Sequence, residues 1–374
     1  MKKVIFSILL LVLGILCGIG QIINPTEEFA LPSSLSESSG LIYFNDKIIT
    51  HNDSGGENKL YELDLVTETV TRTVTITNAT NIDWEDITQD DTNIYVADIG
   101  NNYGSRANLV IYKINKNDYL ASTNVAAETI EISYSDQTDF TPNLNNNVWD
   151  AEALVSYNTT DLLLFTKNWV DGITKAYVIP KTQGVYSISS LTTPLDSGGR
   201  ITGATFNSIS GKLYLVGYTP ILIPFVWVSE GFTNDDVFSG TNTETSLSMF
   251  SFEQTEGITY LDVDEYFVSS ESFNNPPFSD YAKLISFTTN DVSLSIEELL
   301  TYENNVIVYP NPVKYFLQIE SESITSIELY NTNSIQLLSS QTSIIDMRNL
   351  SKGIYFLKIN FERDTSVLKK IIKQ

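Results

Sequence analysis

Of 374 residues, only one is cysteine, one histidine and three methionine. Cys17 lies in the apolar N-terminal stretch Val4 to Ile19. A chain processed after that stretch has no disulfide and no thiol chemistry, and packing alone must hold it together. One histidine leaves too few nitrogen ligands for a zinc centre. A serine triad would have to use His51 with a carboxylate such as Asp53, and no Gly-x-Ser-x-Gly elbow accompanies them. Gly100-Asn-Asn-Tyr-Gly104 lacks the Lys-Ser/Thr ending of a phosphate loop and reads as a tight turn leaving a strand. Basic residues are scarce too, 22 against 46 acidic for a net charge of −24. Lys2 and Lys3 lie in the leader, and the chain from Asn304 onward carries eight Lys or Arg against six Asp or Glu, so residues 21–303 hold about −28. Such a surface excludes nucleic acid, heparin and anionic lipid as partners.

Long apolar runs are missing except at the start. Lys2-Lys3 precedes the run, and Gly18-Ile19-Gly20 puts small residues at the two positions a signal peptidase reads. That pattern predicts a Sec signal peptide over 1–20, cleaved before Gln21. A retained anchor is the alternative, though about 16 apolar residues is short for a spanning helix. A lipoprotein would use Cys17, but Leu16 precedes it where a small residue is wanted. The mature chain is expected to have no integral membrane span.

What is abundant is strand-forming residues: 20 Tyr, 18 Phe and recurrent alternating Thr, Ser, Ile and Val. Five segments share one start: Glu37-Ser-Ser-Gly-Leu, Asp83-Trp-Glu-Asp-Ile, Asp150-Ala-Glu-Ala-Leu, Arg200-Ile-Thr-Gly-Ala and Gln254-Thr-Glu-Gly-Ile. Aligned on Gly40, Asp86, Ala153, Gly203 and Gly257, they are spaced by 46, 67, 50 and 54 residues. Each start is followed by a polar turn, a second strand and an alternating third strand, with a less regular fourth. Four strands per repeat and no convincing helix predict an all-β chain whose residues 21–303 form a five-bladed β-propeller. A sixth blade has room in the 67-residue interval, or in Ile22 to Leu35 joined with Val292 to Leu300. A β-sandwich leaves the repeated start unexplained.

From Val306-Ile-Val-Tyr-Pro-Asn-Pro-Val313 the texture changes to short alternating strands, ending in the basic tail Lys369-Lys-Ile-Ile-Lys373. This opening, Ile327-Glu-Leu-Tyr330, Asp346 with Leu350, Lys352-Gly-Ile-Tyr-Phe356 and the final Lys-Lys-Ile-Ile together resemble the type A sorting domain of the type IX secretion system. Thr332-Asn333-Ser334 stands where such domains usually place a glycine turn. The resemblance implies a small C-terminal β-sandwich over 304–374, read by the outer-membrane secretion machinery and usually cleaved afterwards. It places the protein outside the cell, released or on the outer surface, after Sec export to the periplasm.

In a propeller the start of each first strand and the end of each second strand share one face around the axis. That face gathers Glu85, Glu152 and Glu256 from the starts, with Ser39 and Thr202 in the other two repeats. From the second-strand ends it gathers His51, Asp53, Asp98, Asn101, Lys167 and Glu271, with Arg106 nearby. Three converging carboxylates repel one another unless compensated, and Ca2+ is the natural compensator, with Glu85, Glu152 and Glu256 as its ligands. The alternative is that each Glu caps backbone amides or pairs with Arg106, Lys167 or Arg200. The middle region also loosely resembles phytase-like and lactonase-like secreted propellers, through Asp150-Ala-Glu-Ala-Leu and the strand pair after it. Some of those are calcium-dependent, but a basic phosphate-gripping cluster is absent here. Two functions follow as expectations. One is a binding module for an extracellular glycan, peptide or partner protein, with Asp98, Asn101, Lys167, Glu271 and Arg106 as rim. The other is a calcium-dependent hydrolase with His51 and Asp53 as catalytic groups.

Overall fold

A computed structural model describes residues 22–276, 278–293, 306–321, 324–331, 336–361 and 366–374. The expected signal peptide, the stretch 294–305 and Thr332-Asn333-Ser334 lie outside the described residues. The chain falls into two compact units, divided between Asp291 and Val292.

The first unit is all-β around five sheets, each running outward from its first strand. Sheet I comprises Ser38–Phe44, Lys47–Asn52, Lys59–Asp64 and Thr69–Ile76. Sheet II comprises Trp84–Gln89, Asn93–Asp98, Leu109–Asn115 and Glu128–Tyr134. Sheet III has Ala151–Ser156, Asp161–Thr166 and Ala176–Pro180. Sheet IV has Arg200–Asn207, Lys212–Tyr218, Pro224–Glu230 and Thr241–Ser246. Sheet V has Gln254–Tyr260, Glu265–Glu271 and Lys283–Thr288, and its outer strand is the N-terminal Ile23–Ala30. Each first strand lies against the first strands of the next and preceding sheets, and sheet V returns to sheet I.

Packing explains this order. Alternating apolar residues on each sheet's two faces are buried against its neighbours, so five apolar clusters sit one per junction. Trp84, fully buried between sheets I and II beside Ile42, Ile49 and Leu60, is typical; losing so large a buried side chain costs about 3–5 kcal/mol.

The expected second and third strands are all present. The 67-residue interval holds the short helix Lys116–Ala121, which the strand repeat does not predict, and strand Glu128–Tyr134. The helix is set by Asn115, whose side chain accepts from the Asn117 amide. Outer edges are covered by strand exchange: Asn124–Val125 adds in parallel to sheet I, and Gly184–Ile188 adds in parallel to sheet II. Otherwise unpaired edges are thereby closed.

The second unit holds two sheets around one core. Ile307–Tyr309, Phe316–Glu320 and Ile344–Asp346 form one, and Gln336–Ser340, Ile324–Asn331, Gly353–Phe361 and Ser366–Lys373 the other. Val313, Leu317, Ile327, Leu329, Leu357 and Ile371 fill the core between them. The Tyr-Pro-Asn-Pro opening is tied to the last strand: Asn311 Nδ2 donates to the Lys370 carbonyl (2.8 Å), and its Oδ1 accepts from the Ile372 amide (2.9 Å).

Candidate functional site

One backbone irregularity recurs in all five sheets of the first unit. Pairing of first and second strands slips by one residue between Ser38 and Leu41, Trp84 and Asp86, Ala151 and Ala153, Ile201 and Gly203, and Thr255 and Ile258. The slipped segments contain Ser39, Glu85, Glu152, Thr202 and Glu256. A bulge re-aims the residue it frees, so the repeated start makes a ring of five re-aimed side chains. The two hydroxyls are satisfied around that ring: Ser39 Oγ donates to the Glu85 carbonyl and Thr202 Oγ1 to the Thr255 carbonyl at 2.5 Å. The second strands return to the same end, where the amides of Asp53, Gly100 and Lys167 donate to the carbonyls of Glu37, Asp83 and Asp150.

The three glutamates differ in their partners. Glu152 is held by Lys167, whose Nζ lies 2.5 Å from both carboxylate oxygens. Burial pulls the Lys167 pKa down, but Glu152, Tyr218, Glu256 and Asp150 outweigh it and hold the ammonium's pKa well above its ordinary value. Glu256 is pushed well above the carboxylate range by burial, against the pull of Lys167, with Glu271 and Asp53 adding to the rise. Glu85 is 3% exposed, and among the described residues its carboxylate accepts no hydrogen bond and has no ion pair. It gathers with Asp53 and Asp83, one oxygen of each carboxylate lying within 4.8 Å of the others. Burial raises Asp53 to about 6 against the pull of Lys167, and burial followed by repulsion from neighbouring carboxylates, Asp53 first among them, raises Asp83 to about 7 and Glu85 well above its ordinary value. Glu271 rises to about 7, from burial and then Asp53, and takes a hydrogen bond from Gln254 at 2.5 Å.

The other rim residues fall into two groups. Arg106 braces its own loop: it pairs with Asp98 (2.7 Å) and donates to the Gly100 carbonyl (2.7 Å), while its amide donates to Asn101 Oδ1 (2.9 Å). Asn101 ties sheet II to sheet III through its amide to Asp150 (2.5 Å) and its Nδ2 to the Trp149 carbonyl (3.1 Å). The second group surrounds Trp169, whose Nε1 donates to Asp150 at 2.6 Å. Its ring carries the Lys167 ammonium at 5.0 Å and the Arg200 guanidinium at 4.2 Å. Among the described residues Arg200 has no carboxylate partner, although carboxylates crowd the ring.

His51 differs from the expected rim role. It is fully buried, its Nδ1 lies 3.1 Å from the Asn52 carbonyl and its ring meets Trp84 edge-on at 5.6 Å. Burial lowers its pKa to about 4, so it is neutral at ordinary pH. Among the described residues no hydrogen bond joins it to Asp53. Strand alternation accounts for this, because it turns His51 into the junction of sheets I and II.

Three residues were not singled out from the sequence, and a fourth, Arg200, only as an alternative partner for a glutamate. Asp83 and Asp150 were visible as the first letter of the repeated Asp-x-Glu, and Arg200 opens the fourth repeat. Asp86 stands in a column otherwise occupied by glycine and alanine. Its fully buried carboxylate accepts from the amides of Ile87 (2.8 Å), Leu154 (2.8 Å) and Ala204 (3.4 Å), on the first strands of sheets II, III and IV. A small neighbour is obligatory beside it: a Cβ on Gly40 would lie 2.4 Å from Asp86 Oδ1 and from the Ile87 amide nitrogen.

Residues 307–374 match the family model of the secretion system C-terminal sorting domain. The tail is therefore a type IX sorting domain, which implies export, interaction with the secretion machinery, and a secreted or outer-surface location. No helix among the described residues is long and apolar enough to cross a membrane. No curated protein matches the chain. Among solved structures, it is similar to the PQQ-bound aldose sugar dehydrogenase of Streptomyces coelicolor, at 7% identity and TM-score 0.41, over 73% of this chain and 99% of that one. It is also similar to the Malassezia sympodialis allergen Mala s 1, at 10% identity and TM-score 0.38, over 71% and 93%. A gluconolactonase of Xanthomonas campestris is similar at 10% identity and TM-score 0.36, over 72% and 91%.

Proposed function

We propose that this chain is an exported five-bladed β-propeller that serves as an extracellular binding module for a glycan, peptide or partner protein, its ligand held at the axial mouth. In this reading residues 1–20 are a cleaved signal peptide, 21–303 the propeller and 304–374 a sandwich-type sorting module. The closed circuit of first strands supports five blades, with Ile23–Ala30 completing the last.

The observation that carries the binding role is Arg200. A half-buried guanidinium, held 4.2 Å over Trp169 and without a carboxylate partner among the described residues, has its donors free in a strongly acidic surface. Stacking fixes the fork in place, and a fixed fork suits the paired oxygens of a carboxylate or of vicinal hydroxyls. Lys167, Glu152 and Asp150 beneath it hold the indole rigid.

A second reading, a calcium-dependent hydrolase at the same mouth, draws on the cluster of Asp53, Asp83 and Glu85. His51, fully buried and among the described residues not hydrogen-bonded to Asp53, gives it no base at the mouth. Glycan and peptide arrays probed with the purified chain test the first reading. Chromogenic esters, lactones and phosphoesters, assayed with and without Ca2+, test the second. Retention on an array with no turnover supports the binding module, whereas turnover without retention favours the hydrolase.

A further inference from the structure

We propose that Asp53, Asp83 and Glu85, rather than the three equivalent glutamates, bind a divalent cation of the calcium type at the axial mouth. The inference goes beyond the binding role and does not depend on which ligand the mouth takes.

Charge carries the first part of the argument. One oxygen from each of these carboxylates lies within 4.8 Å of the other two. The adjacent cations are ion-paired elsewhere, Lys167 to Glu152 and Arg106 to Asp98, and act on Asp53 and Asp83 only from beyond ion-pair distance. Three close carboxylates with no counter-charge of their own repel one another, and more strongly where burial removes water.

The second part is Glu85 itself. It is 97% buried by its 3% exposure, is aimed into the cluster, and accepts no hydrogen bond among the described residues. Of its equivalents, Glu152 is paired with Lys167 at 2.5 Å, and the same ammonium draws on Glu256. A buried carboxylate that nothing in the protein satisfies calls for a partner from outside. Asp83 likewise accepts no hydrogen bond at its carboxylate among the described residues, and Asp53 accepts one, from the Ser54 amide.

The third part is the space. A Cβ on Gly100 would lie 1.9 Å from Glu85 Oε1 and 2.4 Å from Asp83 Oδ2. Only a residue without a Cβ lets Glu85 and Asp83 approach this turn so closely, so Gly100 makes the room in which the two carboxylates come together. The donors are all oxygens, which suits Ca2+ and disfavours zinc.

The test is calorimetric titration of CaCl2 into the chelator-stripped full chain, with thermal melts in chelator and in excess Ca2+. Wild type, Glu85→Gln, Asp83→Asn and Asp53→Asn are compared, with Asp346→Asn in the sorting unit as control. One-site heat and a raised melting temperature are expected in wild type and control, and at least tenfold weaker binding in each mouth variant. Should a variant not fold, Tb3+ luminescence sensitised by tryptophan in the wild type, displaced by Ca2+, reports the site directly. Absence of heat, melting shift and Tb3+ signal in folded wild type overturns the proposal. So does binding that survives all three mouth substitutions. Array retention by a chain that binds no calcium would leave the binding role standing while this site falls.

Discussion

The ammonium of Lys167 lies 2.5 Å from both carboxylate oxygens of Glu152, and the two side chains are 8% and 3% exposed. The pair links the end of the second strand of sheet III to the bulge in its first strand. It also decides the fate of the surrounding charges, because Asp53, Glu256 and Glu271 are each drawn down by the same ammonium.

Removing one partner should therefore cost far more than removing both. Lys167→Met is expected to destabilise the first unit by about 3–5 kcal/mol, because Glu152 is left charged and buried. Lys167→Met with Glu152→Gln should recover most of that loss. Urea unfolding of the two singles and the double checks it; additive losses would mean that the pair is not the unit of stability.

Asp86 makes a second prediction. Its carboxylate answers amides on three strands, so Asp86→Ala should cost about 2–4 kcal/mol through unsatisfied buried N–H groups. Gly203→Ala, where a Cβ would meet the Glu256 carbonyl oxygen at 2.0 Å, should be at least as damaging. Thermal melts decide both, and a near-wild-type Gly203→Ala would contradict the close approach of those strands.

His51 predicts a pH effect of defined sign. Burial lowers its pKa from 6.5 to about 4, so between those values the unfolded chain binds the proton and the folded chain does not. Its contribution is fully present above pH 6.5 and is lost as pH falls towards 4, by about 3 kcal/mol at most. Raised carboxylates such as Glu253, pushed to about 7, act in the opposite sense. Only a difference isolates the ring: the stability gap between wild type and His51→Gln should close or invert from pH 7 to pH 4. A gap independent of pH would mean that His51 is solvated.

In the sorting unit, Asn311 bonds both the Lys370 carbonyl and the Ile372 amide. Asn311→Ala should loosen the joint between the opening motif and the final strand by about 1–2 kcal/mol. Export should fall, read as the ratio of outer-surface and medium protein to periplasmic protein. Unchanged export would show that the machinery reads the strands without that joint.

Much of this was legible in the sequence because the repeat is written in the residues that begin each sheet's first strand. Glu85, Glu152 and Glu256 share a bulge as they share a motif, and alternating apolar residues located the second and third strands. Three things were not legible. Which glutamate forms an ion pair depends on Lys167 lying within 4 Å of Glu152 and, among the described residues, of neither Glu85 nor Glu256, a matter of side-chain length across two strands. Asp83 and Arg200 lie at equivalent starts yet act differently, since Arg200 meets Trp169 from the neighbouring sheet. His51 reads as rim because it lies at the end of a strand, whereas the alternation of that strand turns it into the core.

The claim that the axial mouth is the working face is tested most directly on a retained array probe, by comparing its affinity for wild type, Trp169→Ala, Arg200→Gln and the control Asp91→Asn with Asp262→Asn. The controls sit in the turns between first and second strands, at the opposite end of the sheets. The account predicts at least a tenfold loss for Trp169→Ala and Arg200→Gln and none for the control pair. Equal affinity for all four, or a loss confined to the control pair, would contradict it.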